Sequence, residues 1–141
     1  MKAFRPPFDF WERDKETNAL VVIADPERRK ALGKQISPIY HVSPASAPTL
    51  IIHGDADDTA PYDDALTYYD LLGTTPKALL THIGGGHILP YVGSSDRSAQ
   101  GATIDAAAAF FDLFLKHERG ARERLLAVGE RARVRLETDL D

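Results

Sequence analysis

The chain has no cysteine, and that one absence removes a disulfide framework, a thiol nucleophile and a thiolate metal site together. Any nucleophile the protein supplies is therefore an oxygen. Long apolar runs are missing too: no stretch reaches the roughly 18 residues needed to span a bilayer. The opening Met1-Lys2-Ala3-Phe4-Arg5-Pro6-Pro7 lacks the apolar region of a secretion signal. These absences predict a soluble, cytoplasmic protein with no membrane partner. Positive charge is not in excess either. The formal net charge is -4, and although basic residues gather late in the chain, the balance argues against a nucleic-acid surface. Repeats and low-complexity tracts are absent, apart from the alanines at 106 to 109. What is there is 141 residues with 43% hydrophobic content, one domain's length and enough for a compact core.

Two prolines and three phenylalanines among residues 1–11 suggest an irregular arm whose aromatics, with Trp11, need a partner surface. Residues 18–24 form an apolar run compatible with strand or helix. Asp25-Pro26-Glu27 then offers an N-cap, a proline at the first helical position and an acidic first turn, which predicts a short helix to about Leu32 ended by Gly33. A connector with prolines at 38 and 44 follows. Thr49-Leu50-Ile51-Ile52 is apolar without alternation and reads as a strand buried on both faces at the sheet centre.

From Tyr62 to Leu72 the apolar positions 62, 65, 66, 69 and 72 have helical spacing, with Gly73 as the stop. Lys77 to Ile83 reads as a second strand. Residues 104–116 read as a helix apolar on most of its surface and hence deeply packed. Beyond Gly120, the apolar residues Leu125, Leu126, Val128, Val134 and Leu136 among charges suggest an amphipathic helix. A strand-helix-strand unit of this kind is parallel and right-handed. So few strands leave edges that invite self-association, most simply as a homodimer or an exchanged dimer.

The chemistry-bearing residues lie where the two strands end. His53-Gly54-Asp55-Ala56-Asp57-Asp58-Thr59-Ala60-Pro61 follows the first, and Gly84-Gly85-Gly86-His87 follows the second. An open α/β sheet places its ligands at such strand ends. Asp57 can orient an imidazole and stabilise its protonated form, and Asp58 or Thr59 is better placed to cap the helix near Pro61. Three glycines before His87 allow a close backbone approach to a substrate.

These residues resemble the C-terminal portion of an α/β-hydrolase, over residues 37–115, closest to the esterase and prolyl-oligopeptidase-like branches. Asp57-Asp58-Thr59-Ala60-Pro61 matches that family's Asp-x-x-Val-Pro with Ala60 in place of Val, and Gly84-Gly85-Gly86-His87 matches its Gly-x-Gly-His. The resemblance implies that Asp57 is the triad acid and His87 the base, in the family's acid-then-His order. It also implies a nucleophile elbow upstream, in a region that would precede Met1, and this chain has no Gly-x-Ser-x-Gly. The implied fold is a truncated α/β-hydrolase-like parallel sheet with flanking helices and an extra C-terminal amphipathic helix. Three segments follow: an arm, short helix and connector over 1–47, the hydrolase-like core over 48–119, and the last helix over 120–141.

His53, Asp55, Asp58 and His82 stand near the same sheet end as Asp57 and His87. Imidazole with carboxylate suits zinc or manganese, which makes the six candidate metal ligands, although no specific signature matches and acidic turns are common. Ser94, Ser95 and Ser98 read as loop serines, since a nucleophile needs a sharp elbow and adjacent oxyanion donors. The expectation is an ester-type hydrolase for small activated carboxyl or phosphate esters, with water as nucleophile, activated by His87 or by a bound divalent metal. The alternative is a non-catalytic domain or subunit that needs a serine-bearing half.

Overall fold

The computed structural model describes residues 9–43, 45–88 and 97–141. The chain forms two compact units, one ending at His41 and the other beginning at Val42.

In the first unit, β1 (Trp11–Arg13) pairs antiparallel with β2 (Leu20–Val22). The turn between them is held by Asp14, whose carboxylate accepts from the Glu16 and Thr17 amides. The apolar run of residues 18–24 is thus a hairpin strand. Helix α1 (Pro26–Ile36) starts at Asp25, whose side chain accepts from the Glu27 and Arg28 amides. It does not stop at Gly33, which is buried within it. Its end comes at Ser37, extended at φ -82° and ψ 118°, because a residue before proline is driven out of the helical region. Pro38–Tyr40 then makes one 3₁₀ turn.

The second unit contains β3 (Thr49–Gly54), α2 (Tyr62–Leu71), β4 (Lys77–His82), α3 (Arg97–Phe114), α4 (Ala121–Val128) and β5 (Val134–Asp139). Its sheet has the order β3-β4-β5. β3 and β4 run parallel, from Thr49 opposite Lys77 to Gly54 opposite His82. β5 runs antiparallel to β4, so the sheet is mixed rather than all parallel. The centre is β4, in which every residue is buried. β3 is an edge and only partly buried, because one of its sides has no strand among the described residues.

Alternation sorts the sheet into two faces. Leu50, Ile52, Ala78, Leu80, Val134 and Leu136 meet Ala102, Ala106, Ala109 and Phe110 of α3 and Leu125 and Val128 of α4 in the core. The small alanines let α3 lie close to the strands. That helix is not deeply packed all round, however: it has one sheet face to cover, and Ile104 and Phe111 on its outer side and Leu115 just after its end are 65%, 56% and 71% exposed. On the other face lies α2, which buries Ala65. Lys77 joins it by donating from Nζ to the Tyr69 and Gly73 carbonyls at its C-terminal end.

Residues 120–141 are not one helix. α4 ends at Val128, and the amides of Gly129, Glu130 and Arg131 turn back onto Leu126, Ala127 and Val128. Val134-Arg135-Leu136-Glu137-Thr138 then alternates with period two, the pattern of a half-buried strand. Pairing with β4 and packing against α4 make this segment part of the same unit as residues 48–119.

Candidate functional site

Past the ends of β3 and β4 the two loops stay joined. The Asp55 amide donates to the His82 carbonyl at 3.2 Å and the Ala56 amide to the Gly85 carbonyl at 3.0 Å. Asp55 Oδ1 accepts from the Gly84 amide at 2.6 Å. Gly84 has φ +72°, and a Cβ on Gly54 would stand 2.1 Å from the Gly85 carbonyl oxygen. Glycine is required at 84 by its left-handed conformation and at 54 by this close approach.

The joined loops bring Asp57 and His87 together. Asp57 Oδ1 accepts from the Thr59 and Ala60 amides at 2.9 and 2.8 Å, and Oδ2 lies 3.0 Å from His87 Nδ1. The Asp57 side chain is 5% exposed while that of His87 is 49% exposed. Burial works against charge on the Asp57 carboxyl, but the Ala60 amide, His87 and the Thr59 amide outweigh it and hold the pKa down at about 2. A carboxylate can only accept, so His87 Nδ1 carries the proton in this pair, and in the neutral ring the free lone pair is on Nε2. The arrangement is an imidazole held at one nitrogen by a carboxylate that is itself fixed by two amides.

Asp57 braces its own loop and does not cap α2. The cap position is Pro61, without a side-chain hydrogen bond. Asp58 and Thr59 do not cap it either; their side chains meet each other at 3.3 Å.

One member of a row across the sheet reaches the Asp57 carboxylate. His53, Thr81 and Arg135 are register partners on β3, β4 and β5. His53 Nε2 is 3.7 Å from Asp57 Oδ2, and its Nδ1 is 2.9 Å from the Gly54 carbonyl. Tyr62 leans over the row, its ring 5.8 Å from that of His53. The Tyr62 hydroxyl lies 2.6 Å from Thr81 Oγ1 and accepts from Arg135 Nη2 at 3.0 Å. Sequence reasoning missed Tyr62, Thr81 and Arg135 as neighbours of the site, and only a correct strand assignment for β5 would have aligned Arg135 with His53.

The other candidates separate. His82 belongs to the opposite sheet face, 2% exposed, with Nε2 2.9 Å from Thr103 Oγ1 of α3. Asp55 spends its carboxylate on the Gly84 amide. Among the described residues no group of three or more such side chains is arranged to hold a metal ion. Ser94 and Ser95 lie outside the described residues, as do Phe4 and Phe8, while Ser98 sits on the exposed surface of α3. Trp11, expected in the irregular arm, is in β1 and 58% exposed.

With the geometry in place, the likeness to known proteins has a location. Residues 4–72 match the BD-FAE family model, an esterase-like domain of the α/β-hydrolase type. The match includes Asp57 and stops short of His87. It overlaps the resemblance over 37–115 only in residues 37–72, and reaches upstream through the hairpin and α1. No curated protein matches the chain. Among the described residues no helix is long and apolar enough to cross a membrane.

Proposed function

We propose that the protein is an ester-type hydrolase acting on small activated carboxyl or phosphate esters, with His87 as general base and Asp57 as the anion that orients the ring and stabilises its protonated form. The single observation that carries this reading is the 3.0 Å contact between His87 Nδ1 and a buried Asp57 carboxylate with a pKa of about 2. The esterase-like match over residues 4–72 supports the reaction class. Within this reading the chain corresponds to the C-terminal portion of an α/β-hydrolase, and its nucleophile is water.

For a carboxyl ester, His87 Nε2 takes a proton from water as the oxygen attacks the acyl carbon. The imidazolium is stabilised by the charge on Asp57. Collapse of the tetrahedral adduct expels the alkoxide, which recovers the proton from Nε2, leaving acid, alcohol and neutral imidazole. Activated esters suit this site because a good leaving group needs little oxyanion stabilisation. The test is turnover of an activated ester by the purified chain and by Asp57→Asn and His87→Ala. Each variant should lose roughly a hundredfold or more, and His87→Ala, at a half-exposed side chain, should cost under about 1 kcal/mol of stability. Wild-type turnover in both would reject the site.

A second reading rests on the edge of β3 that has no partner strand among the described residues. Thr49–Gly54 has no charged side chain and no proline, the features that usually guard an edge strand. In this reading the chain pairs with another polypeptide there and receives a serine nucleophile from it. Self-association fits either reading, with Ile104, Ala108 and Phe111 of α3 and Leu115 just past its end forming an outward stripe at helical spacing.

A further inference from the structure

We infer that Asp55 is a positioning residue for the Asp57–His87 pair, acting through the main chain of Gly84; this rests on the proposed use of the pair as anion and base. The problem it solves is the run Gly84-Gly85-Gly86 leading to His87. Glycine has more conformational freedom to lose than any other residue, and these three have no side chains with which to dock the loop. A Cβ at Gly86 would meet nothing within 4 Å. Left to itself, the run would let the half-exposed His87 ring wander from Asp57.

Three attachments tie the start of this run down. The Gly85 amide donates to the His82 carbonyl at 3.1 Å, the Gly85 carbonyl accepts from the Ala56 amide at 3.0 Å, and the Gly84 amide donates to Asp55 Oδ1 at 2.6 Å. The third is the only one of them made by a side chain. It is also charge-assisted, which makes it stronger than its neutral neighbours. Its donor is the amide of the residue at φ +72°, so it fixes the left-handed turn that directs the chain towards His87. Its acceptor is two residues from Asp57 in sequence, so one carboxylate registers the loop of the acid against the loop of the base. In Asp55 the sequence pattern offered a metal ligand, and the geometry points to a brace.

A brace and a merely stabilising loop contact differ in what their loss does to the His87 ring. The ring's tautomer is set by the hydrogen bond at its other nitrogen, and the Nδ1–H form that leaves Nε2 free as base depends on Asp57 being in reach. The experiment records ring ¹⁵N shifts of His87 at mildly alkaline pH, with kcat, KM and thermal melting, for wild type, Asp55→Ala and Asp55→Asn. In Asp55→Ala the Nδ1–H tautomer should lose its dominance, and kcat should fall roughly tenfold or more, as loosened geometry does, with KM little changed. Asp55→Asn keeps an acceptor oxygen and should recover most of both signals.

A folded Asp55→Ala that retains the wild-type tautomer overturns the inference, whatever its activity. So does an Asp55→Asn that behaves like Asp55→Ala. If no form of the protein hydrolyses esters, the proposed reaction fails, while the tautomer measurement still decides the role of Asp55.

Discussion

Gly54 and Gly85 touch so closely that a methyl group on the first would stand 2.1 Å from the carbonyl oxygen of the second. The obstacle is backbone, which cannot swing aside as a side chain would. Gly54→Ala should therefore push the two loops apart, cost on the order of 1–3 kcal/mol as an overpacked substitution does, and separate His87 from Asp57. Gly86→Ala is the control, since nothing lies within 4 Å of a Cβ there. Melting curves and ester turnover on the pair of variants check this. A Gly54→Ala protein as stable and active as Gly86→Ala would contradict the packing.

Asp57 makes a second expectation possible, in pH. Its pKa is lowered from 3.8 to about 2 in the folded chain, so its contribution to stability is fully present above the unfolded value and is lost as pH falls through the folded one. Denaturant midpoints of wild type and Asp57→Asn should differ in favour of wild type near neutrality. The difference should shrink as pH falls from about 4 towards about 2. A gap that stays constant across that window would mean that the carboxylate is not held charged by its neighbours.

Much of this was legible in the sequence where one local rule sufficed. The helical spacing from Tyr62 to Leu72 and the apolar strands at 49–52 and 77–83 correspond to α2, β3 and β4. Asp57 and His87, read from their strand-end positions and family motif, lie together. The failures share a cause: they needed information from distant chain. Val134 and Leu136 fit a helical set with Leu125 and Val128, but α4 ends at Val128, Arg133 takes a left-handed φ of 63° and β4 offers a pairing edge that makes them a strand. β3 looked central because it is apolar throughout, yet centrality depends on which strands pair, and β4 holds that place. The row His53, Thr81 and Arg135 exists only through register across three strands, which no local pattern contains. Gly33 misled in another way. A glycine can stop a helix or sit buried inside one, and the true stop came from Pro38.

Self-association is the expected outcome of the exposed apolar side chains of the second unit. Ile104 and Phe111 on one side of α3, and Leu115 just after its end, are each more than half exposed, and one edge of β3 has no partner strand among the described residues. Light scattering at micromolar concentration should report a dimer, and Phe111→Ser with Leu115→Ser should shift it towards monomer without unfolding it. Truncation after Gly120 is not an equivalent test, because it removes β5 from the sheet. A wild-type monomer at that concentration would remove the case for a homodimer.

The nucleophile is the remaining question, and two reagents separate its answers. A serine esterase passes through an acyl-enzyme and is inactivated by a phosphonylating reagent at one serine. This chain has no cysteine and no Gly-x-Ser-x-Gly, and Ser98 lies exposed on α3. Turnover should therefore persist after phosphonylation, with no serine modified by mass spectrometry. A chelator should leave it unchanged as well, since Asp55 and His82 have other partners and no ligand group of three is assembled among the described residues. Loss of activity on chelation, restored by zinc or manganese, would bring back the metal-activated water that the sequence pattern allowed. A phosphonyl adduct on Ser94, Ser95 or Ser98 that tracks inactivation would instead replace water with a serine. Activity that survives both treatments but not His87→Ala leaves water activated by His87, oriented through Asp57, as the mechanism.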